Sequence, residues 1–376
     1  MIHITKTMKI VLIVTLLAFA VCFVSLGVSV AIEVANNFSE PVNLGGGGGG
    51  GGKPTNQQPS TPAGNITSGV GEKTKIALPS MTLEKTYMST SSSSAVIIPD
   101  DSKIIASQAA ILVELSGNTS IVERNSDVKI YPASMTKVMT LIVACENIKD
   151  PTAKLKVTQE MVDYHRETGG SGMMGFEAGE SITVEDALYL INYNSDTIAC
   201  LLIAEHVAGS EAEFVKRMNQ KARDLDLVNT NFVNCTGLYD NEHYTTCREM
   251  AAIMYAAINN SAARKIVTAY NEYIVDIYSN TTDEIERSVK AYSGWYSTRL
   301  NDNNWAGNGS DVKIYGGKTG YEDIPTSCFV TYAQNTETKV EYICVTVGRI
   351  TKTSGNGVNN SQSTADTKKL YQDYAK

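Results

Sequence analysis

Residues 105–123 read as a β-hairpin, residues 134–258 carry a succession of helical patterns, and residues 315–347 read as strands again. This order constrains the fold more than any other feature. Strands at both ends with helices between predict an α+β architecture in which early and late strands share one antiparallel sheet. The hairpin pairs 105–114 with 119–123 around Ser116-Gly117-Asn118. After Ser134, the residues Val138, Leu141, Ile142, Cys145 and Ile148 fall on one helical stripe, predicting a central helix with Ser134 at its mouth. Thr183 with Asp186 three residues on predicts a capped helix to about Tyr193. Further helices are expected over 198–208, 211–224 and 247–258, and a closing helix from Asp366. Strands are expected over 315–319, 328–333 and 340–347. Gly169-Gly170-Ser171-Gly172 reads as a mobile loop; no Gly-Lys-Ser/Thr follows to make it a phosphate cradle.

The folded domain is expected over 99–376, and what precedes it differs in kind. Residues 10–32 form an uncharged apolar run, about 35 Å long as a helix and sufficient to cross a bilayer core. Lys6 and Lys9 precede it and Glu33 follows. The positive-inside rule then places residues 1–9 in the cytoplasm and the rest of the chain outside the cell membrane. The run exceeds the usual apolar core of a signal peptide, which favours an uncleaved transmembrane anchor. Ser29-Val30-Ala31 is a passable cleavage site, and cleavage would make the protein secreted. Residues 33–98 are a Gly/Ser/Thr-rich linker with an unbroken glycine run from 45 to 52. They bury too little apolar surface to order themselves and would span roughly 40–45 Å as a flexible tether.

A net charge of −8, with no cluster of Lys and Arg among aromatics, argues against nucleic acid as a partner. Of the seven cysteines, Cys22 lies in the apolar run. The others are Cys145, Cys200, Cys235, Cys247, Cys328 and Cys344. No metal-type C-x-x-C pair occurs. Cys145, Cys200 and Cys344 sit in apolar periodic segments and are expected as free buried thiols, although an exported chain with six cysteines has the means to form disulfides.

Three short motifs carry the chemistry: Ser134-Met135-Thr136-Lys137, Ser195-Asp196-Thr197 and Lys318-Thr319-Gly320. Each is weak alone. In this order they describe an acyl-transfer site that needs no histidine, metal or cofactor. A serine hydroxyl needs a base to become a nucleophile. At the head of a helix, Ser134 has Lys137 one turn on and on the same face. A neutral lysine serves as that base, and burial beside a second cation such as Lys318 favours the neutral form. Ser195 is placed to relay a proton between base and leaving group. The helix start directs backbone N–H groups at a developing oxyanion.

The chain resembles the serine D-alanyl-D-alanine carboxypeptidases, the low-molecular-mass penicillin-binding proteins. Tyr131-Pro132-Ala133-Ser134-Met135-Thr136-Lys137 resembles that family's active-site helix start, and Ala204-Glu205-His206-Val207-Ala208-Gly209-Ser210 its second-motif helix. Phe232-Val233-Asn234-Cys235-Thr236-Gly237-Leu238, His243-Tyr244-Thr245-Thr246 and Gly317-Lys318-Thr319-Gly320-Tyr321 match further segments. The resemblance covers residues 105–376. It implies an antiparallel sheet packed with helices, a mostly helical lobe, and a site between them. It also implies removal of the terminal D-Ala from peptidoglycan stem peptides ending in D-Ala-D-Ala, through an acyl-enzyme on Ser134. Ser134, Lys137 and Ser195 would be catalytic. Thr197, Lys318, Thr319, Gly320 and Tyr321 would bind substrate, with backbone N–H groups of Ser134 and Tyr321 as the oxyanion hole. β-Lactams would acylate Ser134 as covalent inhibitors.

Two departures stand out. The second motif is usually Ser-x-Asn followed by Asp, whereas this chain has Thr197 and then Ile198; a threonine hydroxyl offers fewer hydrogen bonds than an amide. Cys235 stands where a proline is usual. The alternatives are a β-lactamase, which needs an acid to direct water and finds none over 229–239, and a catalytically weak penicillin-binding sensor or scaffold, which turnover of a D-Ala-D-Ala peptide would distinguish.

Overall fold

The computed structural model describes residues 90–172, 174–295, 311–322, 326–349 and 361–376. All of them belong to one compact unit, Glu72–Lys376. The apolar run 10–32 and most of the linker lie outside the described residues. Among the described residues, no helix is long and apolar enough to cross a membrane.

The main sheet has six strands in the order β1 (Thr90–Ile97), β3 (Thr119–Arg124), β2 (Ala109–Glu114), β10 (Glu341–Arg349), β9 (Thr326–Asn335) and β8 (Val312–Glu322). The hairpin β2–β3 pairs through β2 with the C-terminal β10, Leu112 opposite Cys344, so both ends of the chain share one sheet. Its pairs are antiparallel except for β1, which runs parallel to β3 at the edge. The fold is α+β.

Alternation sends successive residues to opposite faces. Ile111, Val113, Ile343 and Val345 enter the core beneath the helices, while Ala110, Leu112, Tyr342 and Cys344 enter a smaller core on the other side. The smaller core is covered by α8 (Ser361–Tyr374), which contributes Leu370 and Tyr371. Asp366 of α8 accepts hydrogen bonds from the Ser107 amide at 2.6 Å and hydroxyl at 2.7 Å.

The larger core surrounds α1 (Lys137–Asn147), in which every residue from Lys137 to Cys145 is buried. A helix enclosed on all sides is a central one. Burying Leu141 or Ile142 stabilises the fold by about 1.5–3 kcal/mol each. Around it pack α2 (Gln159–Thr168), α3 (Val184–Tyr193), α4 (Thr197–Ala208), α5 (Glu211–Asp224), α6 (Cys247–Asn259) and α7 (Ser261–Val267). Thr183 and Asp186 form a reciprocal capping box at the start of α3. A second antiparallel sheet, unexpected from sequence, has the order β4 (Lys154–Lys156), β5 (Ser181–Thr183), β6 (Tyr273–Tyr278) and β7 (Ile285–Ala291). All six cysteines in the described residues are free and buried.

The described structure includes a strand before Pro99. Strand β1 pairs Val96 with Val122, the Ile98 amide donates to the Glu123 carbonyl at 2.8 Å, and Ile98 is buried. Removing residues 1–89 leaves β1 and its pairing with β3 in place, and with them their share of the thermal stability. Removing residues 1–98 should lower it by about 2–3 kcal/mol through lost burial of Ile98. Equal melting temperatures of the two truncated chains would contradict that role for β1.

Candidate active site

The three motifs meet at one point. Ser134 lies in a 3₁₀ turn, Ala133–Thr136, that runs into α1. Lys137, the first residue of α1, donates to the Ser134 hydroxyl at 3.2 Å and to the Thr236 carbonyl at 2.6 Å. Ser195 donates to Ser134 Oγ at 2.8 Å, and Lys318 Nζ donates to Ser195 Oγ at 3.1 Å. Lys318–Ser195–Ser134–Lys137 is thus a continuous hydrogen-bonded chain from β8 to α1. Lys137 is 1% and Lys318 2% exposed. Burial, reinforced by the nearby charge of Lys137, pushes Lys318 down to about 7.

Local backbone constraints hold these groups in place. Ser195 sits between α3 and α4 with φ of 56°, and Ala133, just before the nucleophile, has φ of 47°. Both lie in the left-handed region, which costs a non-glycine residue free energy and is found at sites over-determined by their surroundings. Gly320 and Gly237 permit the close approaches. A Cβ on Gly320 would meet Cys328 Sγ at 2.4 Å and the Pro132 carbonyl at 3.0 Å, so β8 lies directly against the nucleophile turn. A Cβ on Gly237 would meet the Ala133 carbonyl at 2.0 Å. Asn234 stiffens the loop behind it, its Oδ1 accepting from the amides of Thr236 at 3.2 Å and Gly237 at 2.7 Å.

Asp196 and Thr197 begin α4. Asp196 is its N-cap, accepting from the Ala199 amide at 2.9 Å. Burial pushes its carboxyl up to about 6, opposed by the Ala199 N–H and by Lys137. The Thr197 amide donates to the Ser171 carbonyl at 2.9 Å, and a Cβ on Gly170 would meet Thr197 Oγ1 at 2.8 Å. The glycine loop 169–172, expected to be mobile from its composition, is tied by this bond to the start of α4. Thr197 is buried against that loop. Thr319 and Tyr321 are half-buried on β8, flanking Gly320.

Three contributors carried no role in the sequence reading: Asp196 as a cap, the Thr236 carbonyl, and His243. Burial pushes His243 down to about 4. Its Nδ1 accepts from the Val233 amide at 3.3 Å, so Nε2 donates to Thr136 Oγ1 at 2.8 Å. It is a neutral brace under the nucleophile turn.

The family model for D-alanyl-D-alanine carboxypeptidases matches residues 95–351, and the chain belongs to that family. It is 32% identical over 192 residues to the D-alanyl-D-alanine carboxypeptidase DacF of Bacillus subtilis, covering 50% of this chain and 48% of DacF. It is 33% identical over 164 residues to DacC of Escherichia coli, covering 42% and 40% respectively. The chain thus spans about half the length or less of these curated relatives. Among solved structures, the Streptomyces K15 DD-transpeptidase superposes with a TM-score of 0.60 at 22% identity, over 71% of this chain and 95% of that one. Penicillin binding protein 5 of Haemophilus influenzae gives 0.57 at 24% identity, over 71% and 70%. Both share the fold.

Proposed function

We propose that this protein is a serine D,D-carboxypeptidase that removes the terminal D-Ala from peptidoglycan stem peptides. The observation that carries this reading is the hydrogen-bonded chain Lys318–Ser195–Ser134–Lys137. Lys137 keeps one N–H on the Thr236 carbonyl and holds Nζ against the Ser134 hydroxyl as its base. It takes the hydroxyl proton as Oγ attacks the penultimate carbonyl carbon. The oxyanion is received by the backbone N–H groups of Ser134 and Tyr321, a role that rests on the family resemblance. The proton passes through Ser195 to the leaving D-Ala nitrogen as the C–N bond breaks, and water then hydrolyses the ester. Lys318 and Thr319 hold the terminal carboxylate, and Gly320 lets the strand bring them within reach. Thr197 ties the glycine loop to the start of α4 through its backbone N–H, and its contact with substrate rests on the family resemblance. β-Lactams acylate the same oxygen.

The carboxypeptidase reading is favoured over a β-lactamase by what faces Lys137. The stretch 229–239 offers it the Thr236 carbonyl and contains no acid, and Glu242 is exposed to solvent. Residues 10–32 serve as a membrane anchor, with the catalytic domain on the outer side and the linker giving it reach. The test is release of D-Ala from a pentapeptide ending in D-Ala-D-Ala by the full chain. The expected result is one D-Ala and one tetrapeptide per turnover. Stoichiometric penicillin labelling without D-Ala release would instead identify a sensor.

A further inference from the structure

Two aromatic rings stand beside the nucleophile turn without a part in the chemistry above. The ring centroids of Tyr131 and Tyr239 are 5.0 Å apart at an interplanar angle of 64°, and Tyr239 is 44% exposed. Their placement is rigid. Tyr131 lies three residues before Ser134, its Cα within about 11 Å of the nucleophile's. Tyr239 lies two residues after Gly237, whose backbone is pressed against the Ala133 carbonyl. The Asn234 side-chain amide donates to the Leu238 carbonyl at 2.9 Å, fixing the chain next to Tyr239. The Tyr239 hydroxyl donates to Asn241 Oδ1, which orients the ring.

What surrounds the pair selects its ligand. Asp240 is half-buried, and Asn241 and Glu242 are exposed, a run of oxygen acceptors and amide donors next to an exposed tyrosine ring. The acidic groups disfavour an anion. A pyranose ring matches both features: its C–H face packs on an aromatic ring while its equatorial hydroxyls and acetamido group find donors and acceptors at the edge. Resting on the carboxypeptidase reading, under which the substrate peptide hangs from a saccharide, we propose that Tyr131 and Tyr239 form a platform for a sugar ring of that saccharide. It gives the enzyme a preference for stem peptides still attached to N-acetylhexosamine over free peptides.

The test uses the full chain carrying Ser134→Ala, which binds without turnover. Its affinity is measured by calorimetry for a free pentapeptide and for the same peptide coupled at its N-terminus to an N-acetylhexosamine disaccharide. The expected result is about three- to tenfold tighter binding of the sugar-bearing ligand. Adding Tyr239→Ala removes that advantage and leaves the affinity for the bare peptide unchanged; Tyr239→Phe retains it. Penicillin labelling of a Tyr239→Ala chain with Ser134 intact verifies its fold. Equal affinities for the two ligands before Tyr239 is changed, or an equal loss on both after, would overturn the proposal. Absence of D-Ala release by the wild type would overturn the carboxypeptidase reading and leave this binding comparison standing.

Discussion

Lys137→Ala is expected to slow acylation by penicillin and by peptide about 100- to 10,000-fold, the usual loss when a general base is removed. Lys137 Nζ is the only described cation bonded to Ser134 Oγ, and its other acceptor is the Thr236 carbonyl. Truncation removes the proton acceptor and leaves a buried carbonyl without that donor, which costs a further about 1–3 kcal/mol of stability. Non-covalent affinity should change only a few-fold, because the base acts in the transition state. Stopped-flow acylation separates the two effects. A rate within a few-fold of wild type would assign the base to another group.

Lys318→Arg is expected to change the pH dependence of kcat/KM. Burial and the charge of Lys137 push Lys318 down to about 7 from the ordinary lysine value near 10.5. It is therefore protonated below about pH 7 and neutral above. In the proposed role, its attraction for a substrate carboxylate is full below pH 7 and fades as pH rises through it. In wild type, kcat/KM for carboxylate-terminated peptides should fall about tenfold per pH unit on this alkaline limb. An arginine stays charged throughout and should abolish the limb, at reduced activity because its fork does not reproduce the bond to Ser195. The stability sign is opposite to that of a lysine in an ion pair. The unfolded chain binds a proton that the folded chain lacks between about pH 7 and 10.5, so this group's contribution to stability rises with pH across that window. An alkaline limb that persists unchanged in Lys318→Arg would assign it to another residue.

Much of this site is legible in the sequence because the groups that meet there are side chains at motif spacing. Ser134, Lys137, Ser195 and Lys318 each carry a chemically distinctive group, and the order of helices and strands already implies that the ends of the chain share a sheet. What escapes has physical reasons. The partner of Lys137 is a backbone carbonyl, and any residue at 236 supplies one. The need for glycine at 320 comes from a thiol and a carbonyl distant in sequence, Cys328 and Pro132. The closeness of the Thr197 hydroxyl to Gly170 comes from the path of the glycine loop, which motif spacing does not reveal. Strand β1 includes the serine run 91–94, which has no apolar alternation to announce a strand; it is held by pairing with β3. Strand β7 alternates, but with charges on its exposed face, Glu286 and Lys290 among them. A half-polar edge strand next to a turn-rich segment looks like a loop until its partner β6 is seen.

The central claim is that Ser134 is the nucleophile of an acyl transfer whose proton moves through Lys137 and Ser195. The most direct measurement is peptide mapping by mass spectrometry of the full chain after brief reaction with penicillin and, separately, with a slowly deacylated D-Ala-D-Ala ester analogue. The account predicts one adduct per chain, on the peptide containing Ser134, from both reagents, and none in Ser134→Ala. An adduct on Ser195 or any other residue, or undiminished labelling of Ser134→Ala, would contradict it.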